Sequence, residues 1–143
     1  MATISHMLWF DKQAEEAAQF YVSVFPDASI TNISRGTEGS AFTVEFDLFG
    51  AHYIALNGGP LFTFSEAFSI FVTVDGQEEV DYYWDALTAD GGEPGRCGWL
   101  KDKYGVSWQI VPSILPSLMN NPETAPKTMY NFMQMTKFII EKL

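Results

Sequence analysis

Few residues in this 143-residue sequence have types and spacings that could do chemistry. There is one cysteine, Cys97, and there are two histidines, His6 and His52. A lone cysteine excludes an internal disulfide framework and a multi-cysteine zinc site. A reactive thiol needs a neighbouring base or positive charge to become thiolate. Arg96 and Lys101 lie close in sequence, but no Cys–His pair can be placed, so Cys97 reads as an inert, partly buried thiol. A Ser–His–Asp arrangement has no local signature either. Both histidines sit among aliphatic neighbours, His6 between Ile4 and Leu8, and His52 alternating with Ile54 and Leu56. Neutral imidazoles in such settings are satisfied locally, and both read as structural. Gln109, within GVSWQIVP, stands apart. An internal amide needs partners once buried, and because it both donates and accepts, a ligand's polar group or a neighbouring backbone would serve equally.

The charge balance narrows the partners. Eighteen acidic residues against eight basic ones give a net charge of −10. Such a surface repels phosphate backbones, and no lysine or arginine cluster offsets it. Nucleic acid and membrane are therefore not expected partners. No apolar run approaches the ~20 residues needed to span a bilayer. The start, MATISHMLWF, lacks the basic and long apolar stretches of a signal peptide, which points to the cytoplasm. Twelve Phe, six Tyr and four Trp suggest a core or cavity walled with rings.

The elements that must position these residues can be read from periodicity. TISHMLWF is a short apolar strand. In DKQAEEAAQFYVSVF, Ala14, Ala17, Ala18, Tyr21 and Phe25 recur at three- and four-residue spacing, as in an amphipathic helix with Glu15 and Glu16 at its positive end. SITNISRG, FTVEFDLFG and AHYIALNGG follow as strands, the second alternating Phe42, Val44, Phe46 and Leu48 against Thr43, Glu45 and Asp47. The order then begins again: FSIFVTV as strand, DGQEEVDYYWDALTADGG as helix, GRCGWLKD and GVSWQIVP as strands. LWFDKQAEEAAQFY and FVTVDGQEEVDYYW share strand, Asp, Gln, Glu-Glu and paired aromatics about 63–64 residues apart. A repeated strand–helix–strand–strand–strand unit describes both halves, with modules at about 3–60 and 66–112. SILPSLMNNPETAPK reads as a surface loop. Residues 127–143 read as a helix with Met129, Phe132, Met133, Thr136, Ile139, Ile140 and Leu143 near one stripe.

LWFDKQAEEAAQFYVSVFP, IALNGGP, FSEAFSIFV and above all GWLKDKYGVSWQIVP resemble the PhnB-like branch of the vicinal oxygen chelate superfamily. That superfamily includes glyoxalase I, bleomycin-resistance proteins and extradiol dioxygenases, and the branch carries the label 3-demethylubiquinone-9 3-methyltransferase. The resemblance spans residues 3–112. It implies a single α+β domain of two βαβββ modules whose sheets curl into a cup, followed by a C-terminal loop and helix over 113–143. It also implies a homodimer. A conventional methyl-donor site needs a glycine-rich strand-to-helix turn, which neither DKQAE nor DGQEE offers.

Metal-dependent members of the superfamily converge His, Glu or Gln side chains on one divalent cation. Carried onto this sequence, the resemblance puts Gln109 at the last ligand position, Ser69 at the matching place in the second module, and Asn57 or Ala55 in the remaining region. On the first strand either His6 or Ser5 fits. Alternation favours Ser5, because Ser5, Met7 and Trp9 share one face while Ile4, His6, Leu8 and Phe10 share the aliphatic, helix-packing one. Ser, Asn or Ala, Ser and Gln make a poor ligand set for a divalent metal, so neither metal nor other cofactor is expected. The cup would instead be a concave, ring-lined site for a small molecule. Its lining is expected to draw on Ser5, Met7, Trp9, Tyr53, Asn57, Ser69, Phe71, Thr73, Ser107 and Gln109, with Trp99 and Cys97 at the mouth. None of these lining positions is basic, which disfavours a strongly anionic ligand. The alternative is an enzyme, either a metal-dependent lyase or dioxygenase or the methyltransferase of the family label.

Overall fold

In the computed structural model, which describes all residues Met1–Leu143, the chain forms two compact units, Met1–Phe64 and Ser65–Leu143. In the first, the apolar alternation of HMLWF becomes β1 (His6–Phe10), with Leu8 and Phe10 buried and Met7 exposed. It is followed by α1 (Ala14–Val24), β2 (Ala28–Arg35), β3 (Ala41–Leu48) and β4 (Ala51–Asn57). The sheet order is β1-β4-β3-β2, with β1 parallel to β4 and the other pairs antiparallel. Helix α1 buries the expected Ala14, Ala17, Ala18 and Tyr21 together with Val24 and packs on β3, while Phe25, expected on the same face, is buried just past the helix end. There the Tyr21 ring meets Phe46, and Phe46 stacks on Tyr53 with centroids 5.3 Å apart.

The second unit repeats the topology: β5 (Ile70–Val74), α2 (Gly76–Thr88), β6 (Glu93–Pro94), β7 (Trp99–Lys101) and β8 (Ser107–Pro112), in the order β5-β8-β7-β6. Each unit is thus βαβββ, with one helix layer and one mixed sheet. Val80, Tyr83, Trp84 and Leu87 are the buried face of α2, which packs on β8 and β7. The most distinctive string of the sequence, LKDKYGVSW, proves to be a folding device. The Asp102 carboxylate is 3% exposed; its Oδ1 accepts the backbone N–H of Tyr104 and Val106, and its Oδ2 accepts the Trp108 indole N–H at 2.8 Å. A buried carboxylate is tolerable because several donors solvate it in place of water.

After β8 come α3 (Leu115–Asn120), within the segment expected to be a loop, and α4 (Ala125–Phe132). The single helix expected over 127–143 therefore ends early. Its apolar spacing persists, but Met133–Ile140 spends its backbone groups elsewhere. Met133 O accepts from the Arg96 guanidinium, and the Met135 and Thr136 carbonyls accept the N–H of Cys97 and Gly98. Gln77 on α2 then holds the Phe138 carbonyl and the Ile140 N–H with its two amide ends. Phe138 is buried against Gly98, where a Cβ would lie 2.4 Å from the ring.

Candidate functional site

In each unit one face of the sheet is covered by the helix and the other is left open. On the first sheet, the register Met7↔Ile54 and Trp9↔Leu56 puts these four residues on the open face. Ser5 lies exposed just before β1. The Trp9 indole N–H donates to Gly59 O at 2.9 Å, its ring meets Phe62 edge-on, and it sits so close over Gly58 that a Cβ there would be 2.4 Å away. This is why the strand ends in Gly-Gly. His6 lies on the Leu8 and Phe10 side, its ring 5.6 Å from Tyr53.

Tyr53 and Asn57 are not on the open face. Their register partners are His6 and Phe10, so both point toward the helix layer. Asn57 spends its amide there: Oδ1 accepts the Ala14 N–H at the start of α1, and Nδ2 donates to Ala41 O. It positions α1 rather than a ligand, satisfying one of the donors a helix N-terminus leaves open. Alternation along β4 misassigned both residues because the strand is apolar on its two faces.

His52 does lie on the open face, where Asp47 is its cross-strand partner. Its Nδ1 is 2.6 Å from Asp47 Oδ1 and its Nε2 is 3.0 Å from Glu45 Oε1, while Asn32 Nδ2 donates to Glu45 Oε2. Both ring nitrogens meet carboxylates, an arrangement only the imidazolium satisfies by donating twice. The hydrogen bonds to Asp47 and then Glu45 raise the His52 pKa above its ordinary value. The signal was present in the sequence, since a two-residue turn at Phe49-Gly50 places position 47 opposite 52.

The second sheet brings four expected residues together. Gln109 on β8 is paired with Phe71 on β5 and with Trp99 on β7, so all three share the open face. Gln109 Nε2 donates to Ser69 Oγ at 3.0 Å. Phe71 is 56% exposed, while Trp99 and Gln109 are half-buried. One residue overlooked by the sequence reading also falls here. Lys101 pairs in register with Ser107, two positions along from Trp99 and Gln109, so a basic side chain does stand on this face. Its ammonium is ion-paired with Glu66, which raises the Lys101 pKa and lowers that of Glu66, chiefly through the hydrogen bond between them. Ser107 is 1% exposed, and its Oγ has no hydrogen-bond partner. Cys97 lies outside β7, in a turn with φ of 57°.

As metal donors, Ser69 and Gln109 offer only neutral oxygens, and the Ser69 oxygen already accepts from the Gln109 amide nitrogen. No group of three or more His, Cys, Asp or Glu side chains is disposed to hold a metal ion, and Glu45, Asp47 and His52 pair with one another instead. No helix is long and apolar enough to cross a membrane.

Two βαβββ units with this strand order define the glyoxalase/bleomycin-resistance fold of the vicinal oxygen chelate superfamily. The chain shares it with the fosfomycin resistance protein FosX from Listeria monocytogenes (TM-score 0.60, 18% identity, 81% of this chain and 94% of that one). It also shares it with a protein from Pseudomonas aeruginosa (TM-score 0.65, 16% identity, 78% and 98%). Within that superfamily the chain belongs to the 3-demethylubiquinone-9 3-methyltransferase family, whose model matches residues 2–111. A PhnB protein from Bacillus cereus, described by the same methyltransferase name, is 33% identical (TM-score 0.72) over 78% of this chain and 100% of that one. No curated protein matches the sequence.

Proposed function

We propose that this chain binds a small molecule on the open face of the second sheet, without a metal, and acts in the cytoplasm as a homodimer. The observation that carries the reading is Gln109, held by Ser69 and flanked on neighbouring strands by the Phe71 and Trp99 rings. Rings supply contact energy at roughly 25 cal/mol per Å² of apolar surface covered, and the Gln109 amide oxygen fixes orientation. Ser5, Met7 and Trp9 give the first sheet a comparable mixed surface. Large side chains exposed on the single chain, including Met7, Phe62, Phe68 and Phe71, favour self-association. Light scattering at micromolar concentration should then give twice the 16.0 kDa chain mass.

The methyl-transfer reading suggested by the family's description has no glycine-rich turn behind it. Asp11, Lys12 and Gln13 join β1 to α1, and the sheets are mixed rather than parallel. The metal-dependent reading is tested directly. Under metal-free binding, Gln109→Glu places a charge on a half-buried site and lowers thermal stability, and added nickel, zinc or manganese does not restore it. Metal-dependent stabilisation of the wild type, with stoichiometric metal retained on dialysis, would overturn the metal-free reading.

A further inference from the structure

The segment leading into β5 supplies two polar side chains to the open face of the second sheet. Ser69 takes the Gln109 amide, and Glu66 takes the Lys101 ammonium. Between these two contacts stands Ser107, across the strands from Lys101 and two positions before Gln109 on β8. Its hydroxyl is buried and unpaired. An unpaired buried hydroxyl is costly, and Glu66 leaves it unsatisfied while occupying the one cation on that face.

We propose that this site takes a planar ligand bearing a carboxylate, and that Glu66 is a built-in stand-in for that carboxylate, displaced when the ligand binds. The inference rests on the binding function proposed above and gives its ligand a charge. A ligand carboxylate has two oxygens, so one can accept from Lys101 Nζ and the other from Ser107 Oγ–H, completing what Glu66 leaves open. The ligand's ring then lies between Phe71 and Trp99, beside the Gln109 amide. The exchange is nearly neutral in charge: Lys101 trades one carboxylate for another, and Glu66 is released to water. The net charge of the whole chain slows the approach of an anion but does not forbid a site that holds its own cation.

The test uses two probes of matched shape, benzoate and benzamide, titrated into the full chain at fixed ionic strength. Binding is read from the Trp99 indole and Gln109 side-chain NMR signals. Freed of its competitor, Glu66→Gln should tighten benzoate by about tenfold, and Lys101→Met should weaken it by at least about tenfold, since charge-assisted hydrogen bonds are the strong ones. Benzamide affinity should change less than about twofold in either variant. Spectral dispersion reports whether each variant is folded, and Glu66→Gln, which loses only an exposed carboxylate, keeps the test decisive if Lys101→Met is not. Equal responses of the two probes, or no tightening of benzoate in Glu66→Gln, would overturn the anionic site while leaving the binding function standing. Failure of both probes to move either signal in every variant would overturn the binding function with it.

Discussion

The two units close their central hairpins with the same string, Asp-x-aromatic-Gly, and use it in opposite ways. In the first, Asp47-Leu48-Phe49-Gly50 turns through two residues, with φ of 49° at Phe49 and 81° at Gly50, and Leu48 pairs with Ala51. Positive φ at both centres is the turn that matches strand twist in a two-residue hairpin. In the second, Asp102-Lys103-Tyr104-Gly105 needs three residues. Gly105 N–H returns to Asp102 O, Asp102 N–H reaches Val106 O, and only Gly105 has positive φ. One extra loop residue moves the aspartate by one place in the register, and in a strand one place is the other face. Asp47 therefore meets His52 on the open side, whereas Asp102 is buried among donors. Similar letters build a partly solvated charge pair in one unit and a buried strut in the other.

This contrast sets the size of what substitutions should do. Asp102→Ala strands two backbone N–H groups and an indole N–H and should cost ~3–5 kcal/mol in urea denaturation, enough to threaten folding of the unit. Asp47→Ala, at the corresponding place, should cost less than about 1 kcal/mol, because its partner remains near water. Comparable losses at the two sites would break the comparison. Trp108→Phe removes the donor to Asp102 and also shrinks a fully buried indole to a phenyl, so about 3 kcal/mol or more is expected from the lost hydrogen bond to a charge together with the void it leaves. Tyr53→Phe, its counterpart, should stay within about 0.5 kcal/mol.

The smallest effect is the pH dependence at His52. Its folded pKa is raised, so the stabilisation is fully present below the unfolded value of about 6.5 and is lost as pH rises through the folded value. The stability gap between wild type and His52→Gln should be widest near roughly pH 6, below the unfolded imidazole value, and should close toward alkaline pH. Thermal melts across that range measure it. A gap independent of pH would mean the imidazole is neutral between its carboxylates.

Much of the fold was legible because it is local. The Ala14–Ala18–Tyr21 spacing gave α1, and strand alternation separated Ser5, Met7 and Trp9 from His6, Leu8 and Phe10. The errors arose where local pattern underdetermines direction. β4 is apolar on both faces, so nothing in its letters says that Tyr53 and Asn57 turn toward α1. The helical stripe after Phe132 was overruled by bonds to residues more than thirty positions away, at Arg96, Cys97 and Gly98. At the candidate site, Gln109 and Phe71 came from alternation and Trp99 was expected only at the mouth, while Lys101 was overlooked on the same strand as Trp99. Glu66 could not be placed, because its partner is set by the path of a connecting segment rather than by a period.

Asn57 is followed by glycine, the pair most prone to lose its side-chain amide through a cyclic imide. That reaction requires the Gly58 nitrogen to swing onto the asparagine side chain. Here the Gly58 N–H is committed to Phe10 O at 2.9 Å, and both ends of the Asn57 amide are anchored to Ala14 and Ala41. The folded chain thus shelters its own most age-sensitive bond, which becomes vulnerable only when β1 and β4 part. An aspartate formed there could no longer donate to Ala41 O, and the first unit would not close as before. Chemical ageing at this one position would therefore record how often a molecule has opened.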